Sequence, residues 1–202
     1  MKKFKMLGIL GAIIYLATIV IGGFLRDGYT PFIDPVSRIF ARGLPHSNII
    51  VSLFVLSNFT IVLFAIGIIN FTKNISFRSG MISLIFAGIT GSVLFVFFPM
   101  DPWMGVRTPA DVLHNNIVTV MALFILFSMF LVYIGSKKEK IWQRLSNYFL
   151  ISTILYFIAG TASGICLKYY WGLIGTFESL WIIIFLQWLV VIAYHCRNIS
   201  NR

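Results

Sequence analysis

Six long runs of apolar residues, separated by short polar segments, set the pattern of the chain. An α-helix needs about 20 such residues to cross the hydrocarbon core of a bilayer. The pattern therefore predicts an all-α polytopic membrane protein, a bundle of six transmembrane helices near 7–25, 49–71, 79–98, 114–135, 145–166 and 179–196. Little chain remains between the runs, so we expect residues 1–202 to form a single domain.

The composition agrees with this pattern, because 59% of the residues are hydrophobic and only 11% are charged. Soluble domains carry roughly 25% charged residues. The first apolar run follows a basic segment, as in a signal peptide, but it exceeds the roughly 7–15 residues of a secretory h-region. We expect it to be a retained membrane anchor.

Small residues recur at helical spacing in two of the runs, at Gly160-x-x-x-Gly164 and at Ala87 with Gly91. This spacing lets helix backbones approach closely, so we expect both pairs to pack within the bundle.

Charged side chains divide unevenly between the two sides of the predicted bundle. One side, with both termini, holds eleven basic residues and one acid: Lys2, Lys3, Lys5, Lys73, Arg78, Lys137, Lys138, Lys140, Arg144, Arg197, Arg202 and Glu139. The other side holds five of each sign: Arg26, Arg38, Arg42, Arg107, Lys168, Asp27, Asp34, Asp101, Asp111 and Glu178. Excess Lys and Arg marks cytoplasmic loops. We therefore expect cytoplasmic termini, membrane lipids as partners, and no nucleic-acid partner despite the net charge of +10.

The first outer loop contains a complete set of helix boundary signals. Asp34 occupies an N-cap position, Pro35 the first helical position, and Gly43 the position past the end. This order predicts a short interfacial helix. Asp34 either caps that helix or, with Ser37, faces a pocket over the bundle.

The second outer loop places Asp101 between two prolines and leads into the fourth helix. Thr108 and Asp111 match a capping box, which makes Asp111 a structural residue. His114 follows on the same helix face. It is either a packed, hydrogen-bonded side chain or an acid/base or ligand-binding group oriented by a carboxylate such as Asp101. Glu178 near the start of the sixth helix either complements the helix dipole or joins the same site.

Four short motifs occur in a fixed order along the chain: Gly28-Tyr29-x-Pro31 with the Asp34–Arg38 segment, Phe98-Pro99-x-Asp101, His114, and Gly175-x-x-Glu178. In this order the chain resembles the six-helix prokaryotic membrane family catalogued as domain of unknown function 998. The resemblance implies a six-helix topology in a prokaryotic plasma membrane. It implies no activity, because the family has none established.

The candidate site follows from these observations. We assign Asp101, His114 and Glu178 as candidate catalytic residues and Asp34, Ser37, Tyr29 and Asn115 as candidate binding residues. We expect no metal and no cofactor, since the chain contains no H-x-x-x-H, H-E-x-x-H or C-x-x-C.

Three functions stay open for such a site. The first is binding of a lipid headgroup or small molecule on the outer face, or service as an accessory membrane subunit. The second is hydrolysis of lipid or envelope substrates by an Asp/His acid–base pair. The third is a transporter or permease subunit, which the lack of charged residues within the spans disfavours. The sequence identifies no protein partner.

Overall fold

A computed structural model describes residues 2–102, 107–169 and 172–199, with side chains from residue 6 to residue 196. The described residues form seven α-helices and one 3₁₀ helix. The α-helices are α1 (Lys2–Phe24), α2 (Ser47–Ile69), α3 (Ile75–Phe97), α4 (Pro109–Ser136), α5 (Lys140–Gln143), α6 (Ser146–Tyr169) and α7 (Ile174–Ile199), and the 3₁₀ helix is Val36–Phe40. All except α5 and the 3₁₀ helix are long and apolar enough to cross a membrane, which confirms the predicted class.

The six long helices form a closed ring. Each packs on its neighbours in the order α1, α2, α3, α4, α6, α7, and α7 closes against α1. Aromatic side chains fill the interior along its length, and Phe54, Phe64, Phe77, Phe149 and Trp188 are fully buried.

The connecting segments gather at two ends of the ring. The carboxylate end comprises the described parts of the three connections α1–α2, α3–α4 and α6–α7. There the backbone N–H of Arg42 donates to the carbonyl of Met100 (2.8 Å) and that of Thr176 donates to the carbonyl of Phe32 (3.0 Å). The opposite, basic end comprises the α2–α3 connection and the segment from α4 to α6. The connections thus alternate between the two ends, as six consecutive spans require.

The short helix of the first loop inserts into the carboxylate end of the ring. Val36, Ile39 and Phe40 are each at most 3% exposed, and the helix contacts α1, α2 and α7. Gly22 of α1 makes room for it, since a Cβ there would lie 2.9 Å from Cδ1 of Ile39. The short helix predicted in the first loop is present, and it packs inside the carboxylate end of the bundle.

Asp34 does not cap this helix, so that expectation is wrong. The N-cap residue is Pro35, and no side chain caps the helix. The carboxylate of Asp34 turns back instead, accepting the N–H of Thr30 (2.8 Å) and pairing with Arg38. The backbone N–H of Val36, at the start of the helix, is taken by Glu178 of α7 (2.9 Å).

Candidate functional site

A cavity of about 270 Å³ lies between α4, α6, α7 and the 3₁₀ helix, and we call it the lateral cavity. Most of its lining is apolar. Thr119 and Leu123 of α4 and Phe157 and Thr161 of α6 line it and are exposed at the protein surface. Because these residues lie within candidate membrane spans, the cavity opens sideways, toward the lipid.

A second cavity of about 240 Å³, the polar chamber, lies at the carboxylate end. Most of its lining is apolar too, and its name refers to its charged lining residues Asp34, Arg38, Asp101, Arg107 and Asp111. The two cavities adjoin, since both are lined by Pro35, Met100, Asn115, Leu167 and Ile174. A molecule could therefore occupy both, with a polar part at the end of the bundle and an apolar part along α6.

Hydrogen bonds fix the carboxylates of the second loop. Thr108 and Asp111 form the predicted capping box, with Thr108 N–H donating to Asp111 (2.9 Å) and Asp111 N–H donating to the Thr108 hydroxyl (3.2 Å). Asp111 also accepts the backbone N–H of Asp101 (3.1 Å), and the Thr108 hydroxyl donates to the Asp101 carboxylate (2.8 Å). Asp111 is thus structural, and it positions Asp101.

His114 is only 1% exposed and is oriented by a carbonyl group. Its Nδ1 lies 2.6 Å from the carbonyl oxygen of Phe98. A carbonyl can only accept, so Nδ1 carries the proton. The opposite ring nitrogen, Nε2, is buried without a partner among the described residues.

The expected orientation of His114 by Asp101 is therefore absent from the described hydrogen bonds. The Asp101 carboxylate is held by Thr108 and lies 4.0 Å from Nε of Arg42. Asp101 lines the polar chamber, whereas His114 lines a different, narrow cavity of about 30 Å³. The sequence predicted that Asp101 and His114 lie close together, but their side chains line different cavities.

Glu178 and Ser37 connect the narrow cavity with the lateral cavity, because both residues line both spaces. Glu178 lies in the second turn of α7, which begins at Ile174, five residues earlier than the predicted start. One carboxylate oxygen, Oε2, accepts from Val36. Among the described residues, no donor reaches Oε1.

The remaining two predicted binding residues occupy different positions. Asn115 lies where the lateral cavity meets the polar chamber, and its buried Nδ2 has no partner among the described groups. Tyr29 lines neither of these cavities nor the narrow one. Burial, followed by the charges of Glu178 and Asp34, raises the pKa of Tyr29, so its phenol stays neutral.

The residues of α6 that line the lateral cavity were not predicted from the sequence. Gly160 packs as expected, since a Cβ there would lie 3.1 Å from the Trp181 ring, but a Cβ at Gly164 would meet nothing within 4 Å. Gly164 instead borders the lateral cavity with Thr161 and Ser163. The sequence did offer a signal for this lining, because three small or polar residues occur within one and a half turns of a predicted span.

Metal ligation finds no support in the described part of the chain, where no three His, Cys, Asp or Glu side chains are grouped to hold an ion. The chemistry that the site offers is hydrogen bonding and charge.

Comparison with known proteins gives one match. Residues 9–195 match the model of a family described as "Protein of unknown function (DUF998)", which confirms the resemblance seen in the motifs. No curated protein and no solved structure matches the chain.

Proposed function

The chain belongs to the DUF998 family, and from its own cavities we propose that it binds a membrane amphiphile. The apolar part of the ligand occupies the lateral cavity and its polar part reaches the polar chamber. The observation that carries this proposal is that the two cavities adjoin, with Asn115 among the residues that line both.

The size and position of the cavities support the proposal. Small-molecule sites span roughly 300–1,000 Å³ and combine an apolar lining with a few placed polar groups. The two adjoining cavities together reach that range. The opening lies between α4 and α6 at the level of the candidate spans, so a lipid can enter without leaving the bilayer.

An unpaired polar atom along the path supports it too. Buried polar groups in proteins nearly always have a hydrogen-bond partner. The amide Nδ2 of Asn115 lacks one among the described groups and lies where the polar part of an amphiphile would pass. A ligand acceptor at this point would satisfy it.

Hydrolysis by Asp101 and His114 is less favoured. An acid–base pair needs its two members within hydrogen-bond reach of the same reacting group, about 2.6–3.2 Å. Asp101 is bound to Thr108, and His114 to the carbonyl of Phe98, on different cavities. In the proposed function Asp101 contacts the polar part of the ligand and His114 supports the wall behind Glu178.

Filling the lateral cavity tests the proposal. Gly164→Phe places a ring in the open space beside α6, so we expect lipid retained by the purified protein to fall at least about tenfold, the equivalent of 1.4 kcal/mol. Mass spectrometry of lipids extracted from the purified protein measures this. Gly164→Ala adds one methyl group and should retain lipid.

A second control separates cavity filling from a general effect of an added ring. Ile165→Phe changes the next residue, which is exposed and does not line the cavity, and should leave retention unchanged. The proposal fails if the parent chain retains no lipid, or if Gly164→Phe retains as much as Gly164→Ala.

A further inference from the structure

Among the described residues, the lining of the lateral cavity includes one carboxylate and no cationic side chain. Glu178 lines it, and no described Lys, Arg or His does. The other polar residues described in its lining are neutral, among them Ser37, Asn115 and Thr161. A negatively charged group entering this cavity would find no counter-ion.

The polar chamber offers little surplus positive charge. Arg38 is paired with Asp34, and Arg42, beside the chamber, lies 4.0 Å from Asp101. Arg107 donates to the carbonyl of Leu167 (3.2 Å). Counting Arg42, which does not itself line the chamber, these three cations equal Asp34, Asp101 and Asp111 in number, whereas Glu178 forms no ion pair with a described residue.

Glu178 also has an open acceptor. Its Oε2 is bound to Val36, while Oε1 has no donor among the described residues. Glu178 is half-buried. A carboxylate that loses water on ligand entry is costly unless it is hydrogen-bonded, so a donor from the ligand would stabilise it. When the Glu178 carboxyl group is ionised, it repels an anion. When it is protonated, it offers an anion no positive charge.

We propose that the ligand is an amphiphile whose polar part carries O–H or N–H donors and no net negative charge, and that one of these donors binds Glu178. This inference rests on the proposed function. It places polyol and amine head groups within the class of ligand and places anionic phospholipids outside it.

The test compares three lipids with identical acyl chains in phosphatidylcholine nanodiscs that contain the full-length protein. The guests are a glucosyl diacylglycerol (neutral, hydroxyl donors), lysyl-phosphatidylglycerol (net cationic, amine donors) and phosphatidylglycerol (anionic). Native mass spectrometry measures the occupancy of each. We expect the glucosyl or the lysyl lipid to exceed phosphatidylglycerol at least about tenfold.

Glu178→Gln then separates the two donor chemistries. The amide oxygen of Gln can still accept from Val36, so the fold is kept, and a thermal unfolding curve checks this. Loss of charge should reduce lysyl-phosphatidylglycerol binding about tenfold and glucosyl-lipid binding less.

The outcomes are distinguishable. Phosphatidylglycerol as the preferred guest of the parent chain overturns the ligand class while leaving amphiphile binding intact. Equal occupancy by all three overturns it as well. If the parent chain binds none of the three guest lipids, the proposed function itself is contradicted. The ranking in the parent chain decides the matter even if the Gln variant fails to fold.

Discussion

At the scale of the residue, a single carboxylate organises the basic end of the bundle. Oε1 of Glu139 accepts from the hydroxyl of Thr72 (2.7 Å) and from the backbone N–H groups of Lys73 (3.0 Å) and Asn74 (2.7 Å). Asn74 in turn caps α3 through Phe77 N–H (3.1 Å). One side chain from the α4–α5 connection thus holds the start of a different transmembrane helix.

Removing this carboxylate should destabilise the fold. Glu139→Ala removes the acceptor that three donors share, and the Asn74 N–H keeps only its longer bond to the Thr72 hydroxyl oxygen (3.3 Å). Partly buried donors left unpaired cost about 1–3 kcal/mol in total after water reaches some of them. Chemical unfolding in detergent measures the change. Lys138→Ala, at an exposed neighbouring position, should change stability by no more than about 0.5 kcal/mol. Equal effects of the two substitutions would contradict the assignment.

The sequence predicts a residue's partner when that partner is near in the chain. Thr108 and Asp111 are three residues apart, and their capping box was predicted correctly. Val36 and Glu178 are 142 residues apart, and their bond depends on α7 closing the ring against the first loop. Glu139 was noted only as the single acid among many bases, because its donors lie 65 to 67 residues away.

At the scale of the element, the start of α4 joins helix capping to the site. Thr108→Ala removes the side-chain acceptor of the capping box and also the hydroxyl that donates to Asp101. N-cap losses of this kind cost about 0.5–2 kcal/mol. We expect Thr108→Ala to lower stability by this amount and to weaken retention of the bound amphiphile, because the Asp101 carboxylate loses the hydroxyl that orients it.

Thr108→Ser is the matched control, since serine keeps both the acceptor and the donor. Unfolding in detergent and lipid retention measured on the same preparations give the two readouts. Retention unchanged in Thr108→Ala despite lowered stability would show that Asp101 does not contact the ligand.

Helices that the length of an apolar run determines were predicted correctly, and elements that depend on tertiary contacts were missed or given the wrong start. The long helices follow from runs of apolar residues. The four-residue α5 has no such run, and it forms where Trp142 is buried against Phe77 and His195. The early first turn of α7 packs against the first loop at Gly175, where a Cβ would overlap the carbonyl groups of Pro31 and Asp34.

At the scale of the whole molecule, the ring separates two chemically different ends. The carboxylate end holds the described charged groups that line the two proposed binding cavities, and the basic end holds the Glu139 contacts. The separation follows from the sequence once six spans are counted, because alternate connections must lie on opposite sides. The cavities do not follow from it, because they depend on how far α4 and α6 stand apart.

The direction of the protein across the membrane determines which leaflet supplies the ligand, and we propose that the carboxylate end faces outward. The basis is the excess of Lys and Arg on the other side. Asp27 and Lys138 are exposed at opposite ends, whereas the native Cys166 and Cys196 are buried and should react little. Asp27→Cys should therefore react with a membrane-impermeant maleimide in intact cells, and Lys138→Cys only after permeabilisation. The reverse labelling pattern would place the polar chamber at the cytoplasmic side, and the amphiphile would then come from the inner leaflet.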